Sequence, residues 1–334
     1  MKLAYKEKTE SAEPFAAAPP PLRIALAGYG VVGQALAAKL AGDPDFELVA
    51  ILVRDSDRAR AFAPPAPLTT DRRAFLAVPA DIIVEVTSCD ATGALISEHA
   101  LSRGVHVVSA SKRVVSACRT ALVEAAQSGG GRLFHSAAVG GGAPVLETVA
   151  EARARGEIRS VDGILNGTVN YILERLGRGA GFREALAEAR LAGFAEENPA
   201  EDLSGADAAA KLRLIAAEAW GCDPSGVAVS AEPLDEAAVE RIGASSERWI
   251  QLARIERREG RIVAEVSLRP RRTVETLPHV PDEWNCAAVR LDDGTVFRCR
   301  GRGAGGAPTA EAILSDLHRL LDAQAVAPQR SVSC

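Results

Sequence analysis

The feature that most constrains this chain is a set of three glycines between a strand and a helix. Gly28-Tyr29-Gly30-Val31-Val32-Gly33 follows the apolar run Leu22–Ala27 directly and opens the helical segment Val31–Leu40. At such a junction glycines allow a tight turn and close backbone approach, and the free N–H groups of the helix start can face a pyrophosphate. A GxGxxG pattern alone has little specificity, and its plainer reading is a tight turn with no ligand. Here the strand before it, the helix after it and a second apolar run, Glu47–Val53, are all in place. Together they predict dinucleotide binding at Gly28, Tyr29, Gly30, Val31, Val32 and Gly33.

The strand-then-helix alternation continues through Ile82–Val86, Gly93–Arg103, Val105–Ser109 and Val114–Gln127. Short Val/Ile/Leu runs between amphipathic helices predict a parallel sheet covered on both faces. The later chain reads differently. A strand at Ser160–Leu165 precedes helices near Tyr171–Leu176, Phe182–Ala192 and Ser204–Trp220. Four strand-like runs follow, Trp249–Arg257, Arg261–Leu268, Ala287–Leu291 and Thr295–Arg300, joined in pairs by Glu259-Gly260 and Asp292-Asp293-Gly294, residues suited to hairpin turns. A Gly-rich stretch then leads into a helix of about Ala310–Leu321.

The expected fold class is therefore α/β: a Rossmann-type doubly wound nucleotide domain plus an α+β domain for substrate binding and dimerisation. A chain of 334 residues exceeds the size at which a single core usually splits, about 250–300 residues. The expected division is a nucleotide domain at 22–150, with 301–322 returning to it, and a second domain at 151–300. Residues 1–21, ending in a Pro-rich run, are expected to be disordered, and the tail from 323 to be frayed.

Composition removes several functions. A net charge of −5 offers no electrostatic footprint for nucleic acid. There is no apolar run of 18 residues to span a membrane and no apolar core of a secretory signal. Six scattered cysteines without a CxxC pair form neither a zinc cage nor a disulfide framework, so a cytoplasmic enzyme is expected. The five histidines have no metal-like spacing and receive no role.

The basic residues are more informative. Six of 39 are lysine, and Lys2, Lys6 and Lys8 lie in the first ten residues, which leaves Lys39, Lys112 and Lys211 for the body. Lys211 belongs to a helix opened by a Ser204-x-x-Asp207 capping pattern, with its apolar face at Ala208, Leu212, Ile215, Ala216 and Ala219. At about 100° per residue Asp207 and Lys211 stand roughly 40° apart, beside that face. A plain ion pair is the simpler account. Arg213, two residues on, supplies ordinary charge, however, and only a lysine can lose its proton, which favours acid/base work for Lys211. Lys112 lies at the carboxyl edge of the parallel sheet, where such folds bind ligands, and is likewise followed by an arginine. Arg54-Asp55, about twenty residues past the last glycine, offers a group for a 2′-phosphate and one for ribose hydroxyls, so NADP is expected with NAD tolerated.

Gly28–Gly33, Ser109-Ala110-Ser111-Lys112, Ala138-Val139-Gly140-Gly141-Gly142-Ala143-Pro144, Asn166-Gly167-Thr168-Val169-Asn170-Tyr171, Gly193–Lys211 and Gly303–Ala310 resemble, in order, the motifs of the homoserine dehydrogenase family. The likeness covers residues 22–322 and looks like a short form without aspartokinase or ACT domain. It implies NAD(P)-dependent interconversion of L-homoserine and L-aspartate 4-semialdehyde in a homodimer. It further implies Lys211 as proton donor, Lys112 in contact with cofactor and substrate, and Asp207 holding Lys211 or the substrate. Glu196, Asp202, Gly193, Asn166, Gly167 and Thr168 would line the substrate, and Thr87, Ser88, Gly303 and Gly305 the cofactor. The backbone carbonyls of Val139, Gly141 and Ala143 match a site for Na+ or K+.

Three departures stand against the likeness. Ser136 replaces a glutamate of that cation site, Ser111 replaces an asparagine before the lysine, and residues 277–285 are changed, with Trp284 added. If the 277–285 segment borders the pocket, a paralogous dehydrogenase of a related amino aldehyde or amino alcohol becomes the alternative. A catalytically silent cofactor-binding protein is the third reading, and it leaves the retained lysines without a purpose.

Overall fold

A computed structural model describes residues 19–325 apart from residues 196, 246 and 304. The first half is built from β1 (Leu22–Ala27), α1 (Val31–Leu40), β2 (Phe46–Leu52), β3 (Leu68–Thr69), α2 (Arg72–Ala77), β4 (Ile82–Glu85), α3 (Asp90–Leu101), β5 (His106–Ser109), α4 (Lys112–Gly129) and β6 (Leu133–Phe134). All five pairings of this sheet are parallel, and the strand order is β3-β2-β1-β4-β5-β6. This is the doubly wound order whose reversal at β1 and β4 leaves a crevice at the carboxyl edge.

The chain continues through α5 (Ser136–Gly140), α6 (Val145–Arg155), β7 (Ile158–Ile164), α7 (Gly167–Gly177), α8 (Phe182–Leu191), α9 (Ala200–Leu203), α10 (Ala206–Trp220), β8 (Val229–Ala231) and α11 (Glu236–Gly243). It ends with β9 (Trp249–Arg258), β10 (Arg261–Pro270), β11 (Trp284–Leu291), β12 (Val296–Arg302) and α12 (Gly306–Ala325). The second sheet has the order β12-β11-β7-β9-β10-β8 and is antiparallel except for β10 with β8. At the β9–β10 hairpin both central residues, Glu259 and Gly260, have positive φ, which matches the right-handed twist of the strands.

Burial explains the layers. Leu36 and Ala37 of α1 share a core with Ala310, Ile313, Leu317 and Leu320 of α12, so the last helix returns to the first sheet. The other face is covered by α3 and α4 through Ile96, Leu101, Val114 and Leu122. In the second half Val149 of α6 and Leu212 and Ile215 of α10 lie on Ile255 and Val289. The opposite side of that sheet is covered by its own chain: Val274, Leu277 and Val280 pack on Ile164, Leu252 and Ala288. Most of the changed 277–285 segment therefore serves as a cover for the sheet. Only its end reaches α7, where Asn170 donates to the Asp282 carbonyl at 2.6 Å.

Two sequence expectations need correction. Ser204 does not cap α10; Gly205 occupies that position in a left-handed conformation, with φ of 77°. Asp207 does not cap either, because both its carboxylate oxygens are taken by ammonium groups, a stronger attraction than a backbone N–H offers. The final helix runs from Gly306 to Ala325, past the expected Ala310–Leu321. Most of the segments expected to be disordered, 1–21 and 323–334, lie outside the described residues. Among the described residues no helix is long and apolar enough to cross a membrane.

Candidate active site

The glycine turn has the form a pyrophosphate needs. Gly28 has φ of 105°, and a Cβ there would stand 2.6 Å from the Val86 carbonyl oxygen. A Cβ on Gly33 would stand 2.3 Å from the Gly28 oxygen, so this glycine lets helix and strand touch, whereas around Gly30 the space is open. Gly30 ends the turn as the N-cap of α1 without a side-chain hydrogen bond, leaving the first N–H groups of the helix facing outward. Val31 is 76% exposed above the crevice, and Tyr29 is buried with its hydroxyl donating to the Ala63 carbonyl. These residues fit a dinucleotide.

Around the turn the other expected cofactor residues are placed as follows. Arg54 follows β2, exposed and without a hydrogen bond or ion pair among the described residues. Arg60 instead clamps that loop by donating to the carbonyls of Asp55, Ser56 and Arg58. Thr87 and the exposed Ser88 follow β4. The returning segment closes in from the far side: Gly303 leaves no room for a Cβ beside Asn285, Gly305 has φ of 115°, and a Cβ on Gly306 would strike Val31.

The lysines meet on one carboxylate. Lys112 is the first residue of α4, whose N-cap Ser111 accepts from the Val114 N–H. Its Nζ pairs with Oδ1 of Asp207, across 95 residues of sequence. Lys211, one turn along α10, pairs with Oδ2 of the same Asp207 at 2.9 Å and donates to the Leu165 carbonyl at 2.6 Å. An ammonium has three donors, so one N–H of Lys211 is not committed to these partners. Asn166 completes the cluster. Its Oδ1 caps α7 by accepting from Val169 N–H, and its Nδ2 donates to Asp202 at 2.7 Å and to Asp207 at 2.9 Å.

Electrostatics follow from that geometry. Burial disfavours a charged Asp207, 3% exposed, but Lys211 and Lys112 outweigh it and hold the carboxyl well below the usual range. Burial likewise works against the Lys112 ammonium, and Asp207 with the nearby acids raises its pKa instead. For Asp202 burial wins over the Asn166 hydrogen bond, and its pKa is raised.

Of the remaining expected residues, Thr168 is buried and donates to the Phe194 carbonyl at 2.5 Å, tying α7 to the turn after α8. Gly167 lies against the Glu283 carbonyl, which a Cβ would meet at 2.5 Å, and Gly193 has φ of 78° in the exposed turn after α8. Glu196 lies outside the described residues.

Near the expected cation site Ser136 is engaged by Asp316 of α12, which accepts from its N–H and its hydroxyl, each at 3.0 Å. Burial and Glu147 push Asp316 up to about 6 despite these bonds and Arg319. Val139 and Ala143 are buried, Gly141 has φ of 61°, and the Ala143 carbonyl already accepts from Val145 N–H at 2.8 Å. Sequence spacing also missed a cluster at the opposite, amino edge of the sheet, where Asp43, Asp45 and His318 bring ligand atoms within 4.8 Å of one another. No local pattern joins a loop before β2 to the last helix, so only the fold reveals it.

Comparison with known proteins gives the family. A model of the homoserine dehydrogenase family matches residues 144–318, and the model of that family's NAD-binding domain matches residues 28–136. A homoserine dehydrogenase of Methanocaldococcus jannaschii is 35% identical over 246 residues, 72% of each chain. The chain belongs to the homoserine dehydrogenase family. The Corynebacterium glutamicum member is 32% identical over 317 residues, covering 88% of this chain and 70% of its own. The crystal structure of a family member from Thiobacillus denitrificans superposes with a TM-score of 0.82 at 30% identity, covering 94% of this chain and 76% of that one. A hyperthermophilic archaeal member solved with NADPH shares the fold, with a TM-score of 0.74 at 21% identity. The protein is accordingly an NAD(P)-dependent oxidoreductase acting on L-homoserine and L-aspartate 4-semialdehyde, and neither the paralogous nor the silent alternative is needed.

Proposed function

We propose that Lys211 exchanges the proton with the reacting oxygen, that Asp207 holds it in place, and that Lys112 faces both cofactor and substrate. The observation that carries this reading is the convergence of both lysines on one buried carboxylate, with one Lys211 donor left over. Gly28–Gly33 would hold a nicotinamide nucleotide, which would supply hydride chemistry at the aldehyde carbon. As negative charge builds on the aldehyde oxygen, the Lys211 ammonium stabilises and protonates it. In the oxidative direction the Lys211 amine takes the hydroxyl proton of homoserine. Asn166 fixes the charged oxygens of Asp207 and Asp202 at the same point. Asp202 suits the substrate's ammonium, because a cation there restores the charge that burial disfavours. Glu196 and Gly193, with Gly167 and Thr168 at the start of α7, complete the substrate lining by the family likeness.

The finer assignments belong to the same reading. Exposed Arg54 favours NADP over NAD. A Na+ or K+ ion on the carbonyls of Val139, Gly141 and Ala143 rests on the family likeness alone. A homodimer is supported by the second sheet, which leaves β8 and β12 as edges and Val263 of β10 45% exposed. Cytoplasmic residence accords with the five described cysteines being free. The test is oxidation of NADPH with L-aspartate 4-semialdehyde and a panel of related aldehydes. Turnover is expected with the first, and Lys112→Ala is expected to raise KM for both substrates. Turnover confined to another aldehyde would contradict the assigned substrate.

A further inference from the structure

We propose that Glu85 is a positioning residue that sets both the cofactor loop and Lys112. It ends β4 and is fully buried, with no ion pair among the described residues. A buried carboxylate is costly unless hydrogen bonds satisfy it. Glu85 has three: Oε1 accepts from the N–H and the hydroxyl of Thr87, each at 2.8 Å, and Oε2 accepts from the Ser109 hydroxyl at 2.6 Å.

Each bond leads to a different part of the site. Thr87 lies beside the glycine turn, since the peptide Val86-Thr87 is what a Cβ on Gly28 would strike. Ser109 ends β5 opposite Glu85 in the register, and its Oγ accepts from the Ser111 N–H at 3.1 Å. Ser111 in turn caps α4, whose first residue is Lys112. One carboxylate thus joins the loop at the cofactor turn to the helix that presents a lysine to Asp207. The surroundings are shaped to admit it: a Cβ on Gly93 of α3 would stand 2.8 Å from Glu85 Oε1 and 3.0 Å from a methyl of Val114.

This inference rests on the cofactor lying along the carboxyl edge of the first sheet, and the experiment separates the two. NADPH affinity is measured by fluorescence titration, and kcat and thermal midpoint are measured on the same samples. Glu85→Gln replaces one accepting oxygen with an NH2 that cannot accept, and should weaken NADPH binding about tenfold and lower kcat several-fold. Ser109→Ala breaks only the branch toward Lys112 and keeps both Thr87 bonds, so it should lower kcat at saturating cofactor as Glu85→Gln does while weakening NADPH binding less than Glu85→Gln. A role confined to holding the fold would lower the thermal midpoint without this split. Wild-type affinity and kcat in folded Glu85→Gln, or in Ser109→Ala should the first not fold, would overturn the proposal. Failure of the wild-type protein to bind NADPH would instead remove the cofactor reading beneath it.

Discussion

At the cofactor turn the chain makes its site by leaving atoms out, while at the lysine cluster it does so by adding charges. In the six consecutive residues from Gly28 to Gly33, the two end glycines lie so close to backbone, 2.6 and 2.3 Å from an added Cβ, that they exclude a side chain. Lys112, Asn166, Asp202, Asp207 and Lys211 come from α4, the start of α7, α9 and α10, with 95 residues between Lys112 and Asp207, and hold together because opposite charges and hydrogen bonds meet on Asp207. The first kind of site fails when an atom is added and tolerates the exchange of exposed neighbours. The second fails when a charge is removed and depends on the packing of α4, α7 and α10.

The largest effect should follow removal of the proton-carrying group. Lys211→Ala is expected to lower kcat by about 10²–10⁴-fold, the usual contribution of a positioned acid or base, with NADPH affinity kept. Gly33→Ala should break the other half with the opposite signature, because the colliding atom is backbone and cannot swing away. NADPH titration of that variant should show a loss of affinity of at least tenfold, and wild-type affinity would contradict the fit of the turn. Asp207→Asn leaves two ammoniums beside a neutral amide, and breaking a buried pair costs about 3–5 kcal/mol, to be read from the denaturant midpoint. An unchanged midpoint would show that the cluster is not neutralised in this way.

A smaller effect concerns pH. Burial and the Arg119 guanidinium push His135 down to about 3, so between pH 6.5 and 3 the unfolded chain binds a proton that the folded protein refuses, and stability falls as pH falls. Asp316, raised to about 6, has the opposite sign: its contribution is present below its unfolded value near 3.8 and is lost as pH rises through 6. Between those values the two oppose each other. Asp316→Asn should therefore steepen the rise of stability with pH, and His135→Gln should reverse it, in urea unfolding followed from pH 4 to 6. Identical slopes in both variants would contradict the assignment. Least of all, Arg54→Ala should raise KM for NADPH a few-fold and leave KM for NADH unchanged.

The comparison also shows why the sequence was legible in some places and not in others. β1 and α1 are found at Leu22–Ala27 and Val31–Leu40 as the glycine spacing predicts, since local backbone demands are written in consecutive residues. Lysine scarcity singled out Lys112 and Lys211, and the i,i+4 spacing brought Asp207 to Lys211. Nothing in the spacing placed Lys112 on that same carboxylate, because the contact depends on how α4 and α10 meet. The short helix α6 escaped notice among alanines and arginines although Val145 and Val149 are fully buried. Glu85 had a faint signal: it is the acid near the end of the otherwise apolar run Ile82–Val86. Ser136 read as a lost carboxylate, yet the fold brings Asp316 to it from α12, 180 residues away.

The central claim is that Lys211 serves because it can give up its proton, not because it carries charge. Steady-state kinetics of Lys211→Arg, with NADPH affinity measured on the same protein, tests it most directly, since arginine keeps the charge and does not deprotonate. The expected result is unchanged NADPH affinity with kcat lowered at least a hundredfold. A kcat near that of the wild type would contradict the account.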